Sequence, residues 1–569
     1  MQPTTRRAQV FADHYCYKQW ERETLPPQPP RTAMHPPAQA SEGQFTPPEL
    51  RRSAKQLKRG KAAGTDDISN DFLLEVLSTP EGFTLVLSIV NDCWNREQMP
   101  DRWHVGRIAA IYKGKGDVGL PVSYRPISLL QTLYKLYTKL LEARLRESMS
   151  DRVSKWQYGF QKNMSVDSAV FGILRLIEMS ENHRDFPLYV LLLDWQQAYD
   201  RIHPDRLIVA LRRLGMQEKY IRIVESLYAD MRFIVRDQFG QSKEEAQRTG
   251  LRQGDPLSCF LFILLLSVIM HDAQEAWEAE CTRQGLRWRE VVDAVGRPYV
   301  TYADDTNLLA TVPRVLQIML HAVQREALFY GLRLNIKKTY LILVGGARHV
   351  RAPTLRDLDG RLVPVVESER TLGFDLGPGV TTGSVVASRG RTMCSRMHQY
   401  KIIWQSDLPI KKKVEKYKAL VLSKTIWGLH LLPLTESNLA HLEYMHCRSL
   451  RRILKLKAAY YSRISNKEVR KRAKCNTIMQ MVRQKQLALL GHILRRPFHD
   501  PDRLACFEPD ASCTPRRPDN CHVRVGAPRK TWFKSLLPLF TDIGIPQATL
   551  HTRAQDRQGW YTLSERLCA

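Results

Sequence analysis

Tyr299-Val300-Thr301-Tyr302-Ala303-Asp304-Asp305-Thr306-Asn307-Leu308-Leu309-Ala310 sets two adjacent carboxylates between two apolar runs. The pattern predicts strand, tight turn, strand, with Asp304 and Asp305 at the tip of a hairpin. Neighbouring carboxylates repel, and an isolated Asp-Asp pair is ordinarily a solvated turn. A third acid from another strand changes that, because hard divalent cations such as Mg2+ prefer oxygen ligands and keep positions open for phosphate. Leu188-Tyr189-Val190-Leu191-Leu192-Leu193 is a continuous apolar run that predicts a buried strand; it ends at Asp194 and is followed by the helix-like Pro204 to Leu214. A strand-end Asp beside a hairpin Asp pair is the arrangement that two-metal nucleotidyl transfer requires. One ion activates a primer hydroxyl and the other steadies the departing pyrophosphate, the two lying about 3.5–4 Å apart.

The 569 residues exceed one ordinary domain, and a hydrophobic content of 43% is enough for real cores. Lys and Arg number 86 against 58 Asp and Glu, and the resulting +28 predicts a polyanionic partner such as nucleic acid. Eleven cysteines, odd in number and scattered, together with an opening Met1-Gln2-Pro3-Thr4-Thr5-Arg6-Arg7 that lacks an apolar signal core, favour a reducing intracellular compartment. The longest apolar run, Cys259 to Met270, is shorter than the roughly 20 residues of a membrane helix. It predicts a buried helix and no membrane partner.

Residues 1–45 are rich in proline, as in Pro26-Pro27-Gln28-Pro29-Pro30 and Pro36-Pro37, and predict a disordered, poorly packed lead-in. Thr46-Pro47-Pro48-Glu49 then opens a capped amphipathic helix, and Lys58 to Ile68 is a basic loop. Strand-like and helix-like segments alternate as far as Leu376, which predicts an α+β body. Beyond Gly383 the chain turns to basic helices. Between Arg451 and Arg496 lie fourteen Lys and Arg against one acid, Glu468, with Ile453, Leu454, Ile478, Met481, Leu487 and Leu490 interleaved at near-helical spacing. One face can pack while the other offers charge of nearly one sign to phosphate.

Nine strings in order resemble the reverse transcriptase domain of non-LTR (LINE-type) retrotransposons, roughly from Phe45 to Trp532. They are Lys61-Ala62-Ala63-Gly64-Thr65-Asp66-Asp67-Ile68, Ile111-Tyr112-Lys113-Gly114-Lys115-Gly116-Asp117, Tyr124-Arg125-Pro126-Ile127-Ser128-Leu129-Leu130 and Gln157-Tyr158-Gly159-Phe160. Leu193-Asp194-Trp195-Gln196-Gln197-Ala198-Tyr199-Asp200, Gly250-Leu251-Arg252-Gln253-Gly254-Asp255-Pro256-Leu257-Ser258 and the Asp-Asp hairpin follow. Leu334-Asn335-Ile336-Lys337-Lys338-Thr339 and Thr371-Leu372-Gly373-Phe374 complete the series. Two strings depart from the family: Gly64-Thr65-Asp66-Asp67 replaces Gly-Pro-Asp-Gly, and Gln161 stands where an Arg is usual. Both lie outside the three acids.

The resemblance implies a right-hand polymerase fold with fingers over 46–187, a palm with an antiparallel sheet over 188–376, a helical basic thumb and nucleic-acid-binding region over 384–500, and a C-terminal tail over 501–569. It implies an RNA-directed DNA polymerase that extends a DNA primer on an RNA template with dNTPs, using Mg2+, or Mn2+ in its place, on Asp194, Asp304 and Asp305. Lys113 and Arg125 would clamp the triphosphate, Arg through its bidentate fork. Gln253, with Gly254 bringing backbone close, would touch the nucleotide sugar or the template base. Tyr199 would be the aromatic gate that leaves no room for a 2′-hydroxyl, and Lys338 the general acid at pyrophosphate, with Lys337 beside it as a rival. Asp255 is expected to cap a helix and Asp200 to make strand-turn hydrogen bonds.

Leu490-Gly491-His492-Ile493-Leu494-Arg495-Arg496 and Gly526-Ala527-Pro528-Arg529-Lys530-Thr531-Trp532 resemble segments beyond the thumb and would suit RNA or template-primer contacts. Cys506, Cys513, Cys521 and His522 are spaced too widely for an ordinary zinc knuckle, so structural or free thiols are expected there. With no recognisable endonuclease or RNase H segment, the nick that primes synthesis is expected from a missing domain or another protein. The family's use of chromosomal DNA as primer implies the nucleus. The rival reading is a catalytically silent element remnant that only binds RNA, which the intact acids argue against.

Overall fold

The computed structural model describes residues 7–238, 240–289, 296–518, 521–524, 526 and 530–568. In chain order its strands are β1 Val105–Tyr112, β2 Tyr124–Leu129, β3 Leu188–Leu193, β4 Arg232–Asp237, β5 Gly240–Gln241 and β6 Glu245–Ala246. They continue with β7 Tyr299–Tyr302, β8 Asp305–Ala310, β9 Tyr340–Val344, β10 Val365–Val366, β11 Glu369–Thr371 and β12 Phe374–Leu376. Two five-stranded sheets result. The palm sheet has the order β10-β9-β3-β8-β7, and β3 at its centre runs antiparallel to β8 and β9. All six residues of β3 are buried, as a continuous apolar run predicts for a strand covered on both faces.

The fingers sheet pairs β1 antiparallel with β2 and parallel with β4. Strand β4 comes from the span read as palm, so a boundary at residue 188 does not separate the sheets: a crossover returns the chain to the fingers after β3. The run Cys259 to Met270 is buried, as expected, but within a helix of 28 residues, Pro256–Arg283. Among the described residues this helix alone is long and apolar enough to cross a membrane, and 83% of its apolar window is buried inside the protein.

Residues 7–45 of the proline-rich lead-in are packed on the body, contrary to expectation. The helix Arg7–His14 and the turn Tyr15–Gln19 after it bury Ala8, Phe11, Ala12, Tyr15, Cys16 and Trp20. These pack on Ile108, Tyr124, Phe233 and Val235 of the fingers sheet. The prolines that follow form an extended strap whose hydrogen bonds and ion pairs go to the palm instead of to themselves: Met34 N donates to Arg213 O (2.7 Å), Ala38 N to Gly215 O (2.7 Å), and Arg31 pairs with Glu326 (2.6 Å). At Thr46 the expected cap is present, with Glu49 accepting from the Thr46 backbone at 2.8 Å.

After the tight β11–β12 turn, where Gly373 takes a left-handed φ of +76°, the chain becomes helical. Helix Thr382–Gln399 packs on Glu436–Ile453, and Ile478–Leu494 on Arg557–Cys568. The described residues of 501–569 are bound into the body and do not trail as a tail. Trp532 Nε1 donates to His430 O (2.8 Å), Trp560 Nε1 to Leu487 O (2.9 Å), and the indole of Trp560 occupies the space where a Cβ on Gly491 would stand. Arg297 and Asp502, both buried, form an ion pair at 3.1 Å, and Tyr158 donates to the same Asp502 oxygen at 2.8 Å. Removing one partner of such a pair leaves an uncompensated buried charge. Asp502→Ala is therefore expected to cost about 3–5 kcal/mol in denaturant unfolding, far more than a surface charge deletion.

Candidate active site

The palm register fixes where the acids meet. Leu193 of β3 pairs with Thr306 of β8, so one step further Asp194 comes beside Asp305, with Asp304 next to it in the turn. The turn itself is strained: Ala303 has φ +54°, a left-handed value that a Cβ disfavours. Gln157 holds it there. Its side-chain carbonyl accepts from Ala303 N (2.9 Å) and Gly159 N (2.7 Å), and its amide donates to Ala303 O (3.2 Å). A Cβ on Gly159 would lie 2.2 Å from Ala303 N, so only glycine allows this approach. The string Gln157-Tyr158-Gly159 is thus the clamp on the acid hairpin, a role its sequence alone did not suggest.

Asp194 is held from the other side. Asn335 donates its amide to Asp194 Oδ2 (2.8 Å) and its backbone N–H to Asp194 O (2.8 Å). The same segment brings Lys338 Nζ to 3.6 Å from Asp194 Oδ2, and of the two lysines it is Lys338 that lines the cleft. Burial raises the Asp304 carboxyl, and the Asp194 charge adds to this while Arg125 opposes it. Burial, then the charges of Asp304 and Asp194, push Asp305 up to about 6. Burial and neighbouring negative charge thus hold Asp304 and Asp305 against ionisation, as expected where a cation is to be bound.

These carboxylates suit hard divalent ions by donor type and by charge. They are not drawn together as tightly as the ligand atoms of His271, Asp272 and Glu275, the one compact set among the described residues. Asp272 in that set is already taken by Arg213 (2.6 and 2.8 Å). Cys506, Cys513, Cys521 and His522 form no such set; Cys506 and Cys513 are buried, and His522 Nδ1 lies 2.9 Å from Asp185 Oδ2.

A cleft of about 530 Å3 opens in front of the acids. Lys113, Arg125, Tyr199, Gln253, Gly254, Asp304 and Lys338 all line it, so nearly every residue singled out from the sequence converges there, and Lys115 joins them. Of the three acids only Asp304 lines the cleft; Asp194 and Asp305 are its neighbours at the strand ends. Lys113 and Arg125 extend from the β1–β2 hairpin, where Ile111 pairs with Arg125, and burial followed by the Arg125 charge lowers the Lys113 ammonium. The ring of Tyr199 lies flat on Phe262, 4.4 Å between centroids at 11°, which holds it rigid. Gly254 has φ +133°, and a Cβ there would meet Ser128 O at 2.4 Å, so this loop can lie against β2 only as glycine. Asp255 caps the long helix by accepting from Leu257 N (3.2 Å).

Asp200 makes more than strand-turn contacts. It is buried and accepts from Gln19 Nε2 (3.0 Å), Trp20 Nε1 (3.0 Å) and Gln253 Nε2 (2.9 Å). Burial outweighs these donors and pushes its carboxyl up to about 6. The N-terminal turn thereby reaches the cleft, a contact hidden from sequence by a separation of about 180 residues.

Of the basic segments, several cations are spent inside the protein. Arg495 donates to Ala554 O (3.0 Å), and Arg496 pairs with Asp500 and Asp502 (3.1 and 3.0 Å). Trp532 is buried too, so Arg495, Arg496 and Trp532 serve packing inside the protein; Ala527, Pro528 and Arg529 of the second string lie outside the described residues.

A central antiparallel sheet with paired acids at its strand ends, beside a cleft lined by cations, is the arrangement expected of a polymerase palm. Residues 112–376 match the family model for reverse transcriptase (RNA-dependent DNA polymerase), and this part of the chain is a reverse transcriptase domain. The chain is 26% identical over 419 residues to a probable RNA-directed DNA polymerase from transposon BS of Drosophila melanogaster, covering 71% of this chain and 44% of that protein. It is 25% identical over 370 residues to a Pol polyprotein from the type-1 retrotransposable element R2 of Popillia japonica (63% and 49%). It is 25% identical over 418 residues to the RNA-directed DNA polymerase from mobile element jockey of Drosophila melanogaster (71% and 43%). It thus groups with the polymerases of non-LTR retrotransposons and spans under half the length of each of these relatives.

A carboxyl raised in the folded protein keeps its proton over a range in which the unfolded chain has lost it, so folding loses stability as pH rises through that range. For Asp305 the range runs from the ordinary value of about 4 to about 6. Asp305→Asn is expected to raise the melting temperature of ion-free protein by roughly a few degrees at pH 7 and by less at pH 4, measured by calorimetry.

Proposed function

We propose that this protein copies RNA into DNA, adding deoxynucleotides from dNTPs to the 3′-hydroxyl of a DNA primer, with Mg2+ as the ion and Mn2+ able to replace it. The observation that carries the reading is the register that sets Asp194 beside the Asp304-Asp305 turn, facing Lys113, Arg125 and Tyr199 across one cleft. Bound there, divalent ions would supply Lewis acidity to the 3′-hydroxyl and charge neutralisation to the leaving pyrophosphate.

The rest is the work of the chain. Lys113 and Arg125 hold the triphosphate in line with the primer end, so the 3′-oxygen forms its bond to the α-phosphorus as the bond to the bridging oxygen of pyrophosphate breaks. Lys338 gives a proton to that oxygen, while the proton of the 3′-hydroxyl leaves to solvent. Gln253, with its amide committed to Asp200, turns its side-chain carbonyl to the nucleotide sugar. The Tyr199 ring, backed by Phe262, excludes a 2′-hydroxyl. We further propose that an endonuclease on another domain or protein provides the primer end, and that synthesis takes place inside the cell, at nuclear DNA. Fractionation of cells expressing the tagged protein tests that placement.

Purified protein with an annealed DNA primer on an RNA template is expected to extend with dNTPs and Mg2+, and Asp304→Asn to lower kcat by about 10³-fold or more. Absence of extension with either Mg2+ or Mn2+ would refute the reading. Tyr199→Ala is expected to reduce discrimination against NTPs by at least about tenfold, and unchanged discrimination would remove the gate.

A further inference from the structure

Between the helices Glu436–Ile453 and Asn466–Ala473 the chain presents two adjacent tyrosines, Tyr460 and Tyr461, which are 72% and 74% exposed. Their rings stand edge to face at 5.3 Å, and the Arg463 guanidinium lies 5.3 Å from the Tyr460 centroid. Neither tyrosine has a place in the polymerase site. A limp loop would explain such exposure, but the pair sits in a short helix, Ala459–Ser462, that is pinned. The buried Arg451 donates to Lys457 O (3.4 Å), Ser462 Oγ (3.3 Å), Ile464 O (2.6 Å) and Asn466 Oδ1 (3.0 Å), which fixes the chain on both sides of the pair.

The rim is cationic. Arg452, Lys455, Lys457, Lys467 and Lys471, all within eleven residues of the pair in the chain, are exposed, and the one acid of the stretch, Glu468, is held by Arg472 at 2.8 Å. Rigid, exposed ring faces inside a positive rim match a polyanion whose flat groups are free to stack. A duplex hides its bases, so the match is to an unpaired strand.

We propose that Tyr460 and Tyr461 form a platform for single-stranded RNA, with bases stacking on the rings and phosphates held by Arg452, Lys455 and Lys457. The choice of RNA over DNA rests on the function proposed above, in which the unpaired strand that the protein meets is its template.

The test uses the full chain and fluorescence anisotropy with an unstructured CAA-repeat RNA of about 20 nucleotides, the same sequence as single-stranded DNA, and a blunt RNA duplex. Tyr460→Ala/Tyr461→Ala is expected to weaken single-stranded RNA binding by about tenfold or more, Tyr460→Phe/Tyr461→Phe to restore it, and the duplex to respond little to either. Lys455→Ala/Lys457→Ala is expected to flatten the salt dependence of binding. An alanine pair that binds as the wild type does, a phenylalanine pair as weak as the alanine pair, or tighter binding of the DNA strand would overturn the proposal. Asp304→Asn keeps the two readings apart. Tyrosine-dependent RNA binding that persists in this variant supports the platform, and failure of the wild type to extend a primer would count against the polymerase alone.

Discussion

Repulsion among Asp194, Asp304 and Asp305 is the constraint around which the palm is built. Burial first, and then the charge of neighbouring acids, raises the Asp304 and Asp305 carboxyls, with Asp194 adding to both. Folding tolerates this only because the surroundings leave the acids no other place. The β3–β8 register sets the spacing, Asn335 grips Asp194, and Gln157 with Gly159 locks the left-handed turn at Ala303. A site that stores unfavourable charge in the ion-free state is one that a cation relieves.

The second organising contact is the carboxylate of Asp200. It joins the N-terminal turn, through Gln19 and Trp20, to Gln253 in the cleft, while the loop carrying Gly250 lies so close to Asp200 that a Cβ there would meet its backbone at 2.7 Å. The proline-rich strap continues from this anchor across the palm to Phe45, which packs against Trp94 and Tyr137. The N-terminal segment is thereby a structural part of the cleft, and the extended strap after Trp20 is held by what it touches on the palm.

What could be read from the sequence was local. Strand β3 and the hairpin are legible because a buried strand is a run of apolar residues and a tight turn interrupts it, and Asp255 is legible as a cap because capping involves only the next few residues. Lys338 could not be separated from Lys337, because the choice depends on a short turn and one rotamer beside Asp194. Trp20, Gln157 and Asn335 gave no signal of their roles, since their partners lie far away in sequence. Proline content concealed the ordered strap: it reports the absence of helix and says nothing of docking. Arg495 and Arg496 read as nucleic-acid contacts for the converse reason, that a cation's exposure is not written in its identity.

The most direct test of the account is to count ions at the acid cluster. Manganese(II) electron paramagnetic resonance on the protein bound to an RNA template, a DNA primer lacking its 3′-hydroxyl and a complementary dNTP is predicted to show two ions close enough to couple magnetically, and loss of that coupling in Asp194→Asn. A single uncoupled ion in the wild type, or a coupled pair that survives removal of the Asp194 charge, would contradict it.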